Sequence, residues 1–201
     1  MAATICQETR TVYFPVPKNG STSLRHLFFK IENGFDFLPF KINGKSQELF
    51  WLYGHNRPFA RIRVPEGYVK LTVVRNPLAR FISNYRSLAA DWETHFHETP
   101  SLDGFISRIN EFARHSPKAR FHLAAQSVHL GGDLSYFDKV FRMENLPELA
   151  DYLTQRSGVE IKLPWTNKSA ELDNTASAAS MEKIARIYRK DYDLLRPFYS
   201  A

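Results

Sequence analysis

Hydrophobic positions follow two spacings along the chain, one typical of β-strands and the other of amphipathic helices. Apolar and β-branched runs predict strands over Thr11–Val16, Leu49–Tyr53, Tyr68–Val74 and Tyr136–Phe141. Apolar positions three and four residues apart predict a helix through Leu24, Leu27, Phe28 and Ile31, a second helix that begins at Pro77, and three more over 101–114, 145–157 and 180–196. Because strands alternate with helices, we predict a three-layer α/β domain whose central, mainly parallel sheet is flanked by helices.

The helix that begins at Pro77 has two distinct faces. The positions expected to face the core are Leu78, Phe81, Ile82, Tyr85 and Ala89. The positions expected on a polar stripe are Arg80, Ser83, Asn84 and Ser87. Proline suits the first turn of a helix, where its missing N–H group costs nothing. Ser101 is expected to cap the helix that follows.

The composition is that of a chain that can bury a full hydrophobic core. Of its 201 residues, 43% are hydrophobic and 24% are charged, as in an ordinary folded domain. The 27 Lys and Arg residues against 21 Asp and Glu leave a net charge of +6, which suits an anionic partner without identifying one. We predict a single domain over residues 1–201.

Several features argue against other classes of protein. Cys6 is the single cysteine, which excludes an internal disulfide and a metal site of four thiolates. No apolar stretch approaches the roughly 18 residues that span a bilayer, and the first residues lack the basic and apolar regions of a signal peptide. No RNA-binding motif is visible. We expect a cytoplasmic protein that binds no nucleic acid and does not span a membrane; the sequence leaves its oligomeric state open.

The first candidate anion site lies between the first predicted strand and the first predicted helix, where α/β sheets bind ligands. Its residues are Lys18, Asn19, Gly20, Ser21, Thr22 and Ser23. Gly20 lets the backbone approach a ligand, and the N–H groups at a helix N-terminus attract phosphate or sulfate. The hydroxyl groups add donors, and Lys18 adds a full positive charge. A capped helix with a surface lysine is the alternative interpretation.

The order of residues in this loop differs from that of the ATP-binding loop Gly-x-x-x-x-Gly-Lys-Ser/Thr. In that loop the lysine follows the glycine and precedes a hydroxyl residue that holds Mg²⁺. Here Lys18 precedes Gly20, and Asn19 follows the lysine. The loop therefore suits an anion whose transfer needs no metal, and we expect no metal site.

A second candidate anion site follows the third predicted strand. Arg75 stands at the end of that strand, and Arg80 and Ser83 share one face of the next helix. A guanidinium group binds phosphate with two parallel hydrogen bonds. Because parallel strands end at one edge of a sheet, we expect both loops at that edge, where they suit a nucleotide phosphorylated at both ends. A solvated polar helix face is the alternative.

These two segments resemble the two signatures of the sulfotransferases that use 3′-phosphoadenosine 5′-phosphosulfate (PAPS). The matching residues are Pro17-Lys18-Asn19-Gly20-Ser21-Thr22-Ser23 and Arg75-Asn76-Pro77-x-x-Arg80-x-x-Ser83-x-Tyr85. The short first loop is most similar to the carbohydrate-type and bacterial branches. Three further segments are similar to family segments: His122–Gln126, with Ala125 in place of a proline, then Val140–Leu146, and the tail Ile187–Leu195. The resemblance covers residues 11–199 and implies a P-loop-like fold.

The resemblance implies a role for each of these segments in binding PAPS. Lys18 and residues 19–23 would hold the 5′-phosphosulfate, and Arg75 and Ser83 would hold the 3′-phosphate. Asn167, Lys168 and Ser169 would contact the nucleotide from a closing loop, with an ordinary surface loop as the alternative. The implied reaction is in-line transfer of a sulfuryl group to an acceptor hydroxyl.

The acceptor hydroxyl needs a general base. His55, in the segment Trp51–Phe59, resembles the histidine proposed as the base in bacterial members and in heparan sulfate 2-O-sulfotransferases. A histidine with an ordinary pKa of about 6.5 can take up a proton at neutral pH. His122 is the next candidate, and a histidine that only bonds loop backbone is the alternative.

The expected acceptor is a glycan or glycoconjugate. The acceptor pocket is expected to draw on residues 30–60 and 90–130. The basic residues in and near these ranges are Arg57, Arg61, Arg63, Arg114, Lys118 and Arg120. If several line one cleft, they favour an anionic glycan; scattered surface charges are the alternative.

Two other functions fit parts of the sequence. A P-loop phosphotransferase would need a Lys-Ser or Lys-Thr pair and an acidic metal ligand, and neither is evident. A non-catalytic relic would bind the nucleotide without moving sulfate. His95-Phe96-His97-Glu98 has two histidines at alternate positions but no evident third metal ligand, so a solvated loop is the simpler interpretation.

Overall fold

The computed structural model describes residues 3–49, 59–163 and 175–199. The chain divides into two compact units, one of residues 1–74 and 129–166 and the other of residues 75–128 and 167–201. In the described ranges, the strands belong to the first unit and the second unit is helical. The single domain over 1–201 stays a prediction.

Strands and helices follow one another along the chain largely as expected. The described strands are β1 (Thr4–Cys6), β2 (Thr11–Phe14), β3 (Phe40–Ile42), β4 (Lys45–Gln47), β5 (Val69–Val74) and β6 (Lys139–Arg142). The described helices are α1 (Ser21–Asn33), α2 (Pro77–Phe96), α3 (Leu102–Ser107), α4 (Ile109–His115), α5 (Pro117–Leu123), α6 (Gln126–Leu130), α7 (Leu146–Ser157), α8 (Ala178–Ile187) and α9 (Arg189–Leu195). Two short 3-10 turns cover Leu134–Tyr136 and Met143–Asn145.

Four of these strands form one sheet in the spatial order β1-β2-β5-β6. β2, β5 and β6 are parallel, whereas β1 pairs with β2 in the antiparallel sense. The register pairs Phe14 with Thr72 and Val74 with Arg142, so the parallel strands end at the same edge. The predicted α/β fold with a mainly parallel sheet flanked by helices is confirmed.

The two inner strands are apolar because both of their faces are covered. All four side chains of β2 are buried, as are the last four of β5. Strands buried on both faces have near-continuous apolar and β-branched sequences, which is the pattern that predicted them. The hydroxyl of Thr72 donates to the carbonyl of Phe14 at 2.8 Å, so this buried polar group has a partner.

Each unit has its own hydrophobic core. In the first unit, α1 and α7 pack on the sheet, and their buried side chains include Leu24, Phe28 and Leu149. α1 ends at Gly34, whose φ of 77° allows its N–H group to donate to the carbonyl of Lys30 at 2.8 Å. In the second unit, the ring centroid of Trp92 lies 5.1 Å from that of Phe105 and 5.3 Å from that of Phe112.

Two helices predicted as continuous are each broken in the structure. The range 101–114 contains α3 and α4, which meet at Arg108. The hydroxyl of Ser107 donates to the carbonyl of Gly104 at 2.8 Å, a side-chain bond that competes with the helical backbone pattern. The range 180–196 contains α8 and α9, which meet at Tyr188.

Of the remaining element predictions, one is confirmed, one differs in its bounds and one lies mostly outside the described residues. The cap at Ser101 is confirmed, since its hydroxyl accepts from the N–H group of Gly104 at 3.1 Å. β6 begins at Lys139 rather than at Tyr136, because Tyr136 belongs to the preceding 3-10 turn. The strand predicted over Leu49–Tyr53 lies, beyond Leu49, outside the described residues.

The buried face of α2 includes two residues that we expected on its polar stripe. Arg80 is 1% exposed and Asn84 is completely buried. Helical spacing indicates which side chains share a face, but not which neighbouring helices cover it. The alternative interpretation, a solvated polar face of this helix, therefore does not hold at Arg80 and Asn84.

Candidate functional site

The backbone of the loop between β2 and α1 has a shape that suits an anion. Lys18 has a φ of 67° and Gly20 a φ of 72°, whereas the φ of Asn19 between them is negative. The loop turns directly into the N-terminus of α1, whose first N–H groups can bind an anion. The left-handed region costs a residue with a side chain about 1 kcal/mol, so the loop must hold Lys18 in it.

Gly20 is the N-cap of α1, and its backbone conformation favours glycine there. Its φ lies in the left-handed region, and a β-carbon would stand 3.1 Å from Sδ of Met143. Because glycine has no side chain, the cap position offers no acceptor to the first turn, and the first turn holds no acidic residue. Neither a capping side chain nor an acidic residue therefore neutralises the partial positive charge of this N-terminus.

Asn19 fixes the loop to the end of β5. Its side chain is completely buried, and Nδ2 donates to the carbonyl of Val73 at 2.8 Å. Its N–H group donates to the carbonyl of Val16 at 3.2 Å. Val73 is the penultimate residue of β5, so the loop is held at the carboxyl edge of the sheet. Direct contact of Asn19 with a nucleotide stays a prediction.

The charged and hydroxyl groups of the loop differ in exposure. Lys18, Ser21 and Ser23 are half-buried, and Thr22 is exposed. Lys18 and the three hydroxyl residues lie at the N-terminal end of α1, in the first unit. Their contact with a ligand stays a prediction.

Arg75 follows β5 directly and is the first residue of the second unit. Its N–H group donates to Oε1 of Gln126 at 3.1 Å, and its carbonyl accepts from Nε2 of the same side chain at 2.7 Å. The side chain of Asn76 then caps α2 by accepting from the N–H group of Ala79 at 3.1 Å. Arg75 and Ser83 are both half-buried.

Arg80 has a structural role that the sequence did not reveal. Its Nη2 donates to the carbonyl of His122 at 3.0 Å, inside the second unit. Burial lowers the pKa of Arg80; the nearby Tyr188 and Asp191 raise it, and the positive charge of Arg75 lowers it. Arg80 thus adds positive charge close to Arg75 while its own guanidinium is turned into the protein.

The chain matches the family model described as "Sulfotransferase family" over residues 1–199. The chain belongs to the sulfotransferase family. The resemblance found in the two loops is thereby confirmed, and the protein is a transferase of a family that moves sulfuryl groups and generally uses PAPS. No curated protein and no solved structure matches the chain.

Several residues predicted to act in this sulfotransferase lie outside the described ranges. They are His55, Asn167, Lys168 and Ser169. The alternative base, His122, is half-buried at the end of α5, and its ring centroid lies 5.5 Å from that of Phe121. The choice between the two histidines stays a prediction.

Some of the basic residues predicted for the acceptor pocket of the sulfotransferase are ion-paired. Arg61 contacts Asp133 at 3.4 Å in the first unit, and Lys118 contacts Asp91 at 3.0 Å in the second. Arg57 lies outside the described residues. A cluster that binds an anionic glycan stays a prediction.

The two histidines of the segment 95–98 lie at the C-terminal end of α2. His95 belongs to α2, where its Nδ1 bonds the carbonyl of Asp91 at 2.8 Å, and His97 caps that helix. In the described part of the chain, no three His, Cys, Asp or Glu side chains are grouped so that they could hold a metal ion. None of the helices described combines the length and the apolar character needed to cross a membrane.

Sequence reasoning missed Gln126 and Asp191 as residues of this site. Gln126 bonds both main-chain groups of Arg75, and Asp191 in turn accepts from the N–H group of Gln126 at 2.7 Å. The signal was present, because both residues fall in the later segments that resemble the family. Their chemistry was not apparent until the fold brought them together.

Proposed function

We propose that this sulfotransferase transfers the sulfuryl group of PAPS to a hydroxyl group of a carbohydrate acceptor. The observation that carries the proposal is the loop over 18–23, which places Lys18 beside the helix N-terminus of α1 at the carboxyl edge of the sheet. A lysine and a helix N-terminus together suit a sulfate or phosphate group.

In this proposal the nucleotide is bound at both of its charged ends. Lys18 and residues 19–23 bind the 5′-phosphosulfate, and Arg75 and Ser83 bind the 3′-phosphate. The connectivity of the sheet supports this division, because the loop is tied to the last residues of β5 and Arg75 follows β5 directly in the chain. Asn167, Lys168 and Ser169 also contact the nucleotide.

Lys18 has the central catalytic role. As the acceptor oxygen forms its bond to sulfur, the bond between sulfur and the oxygen of the 5′-phosphate breaks, and negative charge grows on that oxygen. Lys18 and the first N–H groups of α1 stabilise this charge more in the transition state than in the ground state. The products are a sulfate ester and adenosine 3′,5′-bisphosphate.

His55 takes the proton of the acceptor hydroxyl, and His122 is the second candidate for this role. The acceptor is a glycan or glycoconjugate, and the enzyme acts in the cytoplasm. Asn19-Gly20-Ser21 and Asn167-Lys168-Ser169 fit the glycosylation pattern, and a glycan on either asparagine would block the proposed nucleotide site, which supports a compartment without glycosylation.

The test is transfer of radiolabelled sulfate from PAPS to a panel of glycans, lipids and small alcohols. We expect labelled glycan with the wild-type protein and a loss of turnover of about 100-fold to 1000-fold with Lys18→Ala. Lys139→Ala is the matched control, since Lys139 is an exposed lysine at the first residue of β6, away from the carboxyl ends of the parallel strands. Lys139→Ala is expected to retain full activity.

Other outcomes would contradict the proposal in different ways. Tight binding of adenosine 3′,5′-bisphosphate without transfer to any acceptor would indicate a non-catalytic relic. Mg²⁺-dependent hydrolysis of ATP would indicate a phosphotransferase. Full activity of His55→Ala would exclude His55 as the base, and His122→Ala would then be tested.

A further inference from the structure

The main chain of Arg75 is held on both sides by one buried side chain. Gln126 is completely buried, and its amide group accepts from the N–H group of Arg75 at 3.1 Å and donates to the carbonyl of Arg75 at 2.7 Å. A pair of hydrogen bonds to one residue fixes the orientation of its peptide groups. The direction in which the Arg75 side chain leaves the backbone is therefore set by Gln126.

Gln126 is itself held by a buried carboxylate from the C-terminal part of the chain. Oδ2 of Asp191 accepts from the N–H group of Gln126 at 2.7 Å, and Oδ1 accepts from the N–H group of Ser127 at 2.8 Å. Asp191 is completely buried. Hydrogen bonds to an ionised acceptor are about twice as strong as those between neutral groups, so this contact fixes the start of α6 firmly.

The segment that precedes Gln126 is held by two further side chains of the same unit. The hydroxyl of Tyr188, where α8 and α9 meet, donates to the carbonyl of Leu123 at 2.8 Å, and Arg80 of α2 donates to the carbonyl of His122. Tyr188, Arg80 and Asp191 thus bond residues 122–127, and these bonds fix the position of Gln126.

We propose that Gln126, held by Asp191, is a positioning residue that aims Arg75 at the 3′-phosphate of the nucleotide. This inference rests on the proposed function, in which Arg75 binds that phosphate. Residues that support a binding group from behind control how well it meets its ligand. The consequence is specific: the enzyme's preference for a nucleotide with a 3′-phosphate depends on Gln126, whereas its affinity for the 5′ end does not.

The test compares the dissociation constants of adenosine 3′,5′-bisphosphate and adenosine 5′-phosphate by titration calorimetry. Gln126→Met nearly keeps the size of the side chain but removes both hydrogen bonds to Arg75. We expect it to weaken binding of the bisphosphate by roughly 10-fold to 100-fold. This is the range for loss of a hydrogen bond to a charged group, here the bond from Arg75 to the 3′-phosphate. Binding of adenosine 5′-phosphate is expected to change by less than about twofold.

Ser116→Ala is the matched control for a structural effect. It removes a buried acceptor for the N–H group of Ala119, at 3.0 Å, in the same unit but outside the hydrogen bonds of Gln126 and Asp191. We expect it to leave the ratio of the two dissociation constants unchanged. If Gln126→Met does not fold, Asp191→Asn provides the same measurement, because it removes an acceptor from one of the two N–H groups while keeping the shape of the side chain.

Failure of this inference is distinguishable from failure of the proposed function. A wild-type protein that prefers the bisphosphate and a folded Gln126→Met or Asp191→Asn variant with the same preference would overturn the positioning role alone. A wild-type protein without any preference for the bisphosphate would overturn both. An equal loss of affinity for the two nucleotides would show that Gln126 acts only on the stability of the fold.

Discussion

Replacement of Asn19 by alanine tests how the candidate anion loop is held against the sheet. The substitution removes the 2.8 Å hydrogen bond from Nδ2 to the carbonyl of Val73. Because Asn19 is completely buried, water cannot replace the lost donor. Removing one partner of a buried hydrogen bond and leaving the other without it costs about 1–3 kcal/mol, so we expect the free energy of unfolding to fall by about that amount.

The matched control is Asn33→Ala on α1. Nδ2 of Asn33 also donates to a main-chain carbonyl, that of Phe29, at 2.8 Å, but this bond is exposed. The two variants thus lose the same kind of bond at the same length and differ in burial. Water replaces the exposed donor, and alanine favours the helix, so we expect a change within about 0.5 kcal/mol for Asn33→Ala.

The assay is urea unfolding followed by circular dichroism, with a third variant as an internal check. Asn19→Asp places a carboxylate oxygen against the carbonyl of Val73, so it is expected to cost more than Asn19→Ala. Binding of adenosine 3′,5′-bisphosphate is expected to weaken in both variants, because the loop is no longer tied to β5. Equal free energies of unfolding for Asn19→Ala and Asn33→Ala would refute the reasoning that burial makes this bond important.

Three further predictions concern buried groups elsewhere in the fold. Burial raises the pKa of Cys6 to about 11, so we expect its thiol to react with Ellman's reagent at pH 8 only after denaturation; immediate reaction of the native protein would contradict this. As the pH rises from about 9, the Cys6 thiol ionises in the unfolded chain before it ionises in the folded chain, so its contribution to stability falls toward pH 11. The free energy of unfolding of wild type is therefore expected to fall more steeply over this range than that of Cys6→Ala. Arg80→Met leaves the carbonyl of His122 without its donor, so we expect it to lower the free energy of unfolding by about 2–4 kcal/mol. Thermal unfolding measures this change, and Arg114→Met, at an exposed position, is the control. Equal effects of the two substitutions would contradict the assigned role of Arg80.

The sequence predicts the elements whose local pattern decides their structure. The continuous apolar runs of β2 and β5 indicated buried parallel strands, and the spacing of Leu24, Leu27 and Phe28 indicated α1. The loop over 18–23 was also predictable, because the order of its residues alone places a lysine and a glycine before a helix.

Other features depend on contacts between distant residues. The bond from Gln126 to Arg75 joins positions 51 apart, and the bond from Asp191 to Gln126 joins positions 65 apart. Neither spacing leaves a periodic signal. Burial of Arg80 follows from the helices that cover α2, and a helical face alone does not show whether it meets solvent or protein. The helix breaks at Arg108 and Tyr188 were missed because the apolar spacing continues across both of them.

In the proposed binding mode, one nucleotide is bound through Lys18 at its 5′ end and through Arg75 at its 3′ end. Titration calorimetry of adenosine 3′,5′-bisphosphate and adenosine 5′-phosphate with wild type, Lys18→Ala and Arg75→Ala measures both contacts separately. We expect one bisphosphate per chain, weaker binding of both nucleotides to Lys18→Ala, and weaker binding of the bisphosphate alone to Arg75→Ala. Unchanged affinity of Arg75→Ala for the bisphosphate would contradict this binding mode.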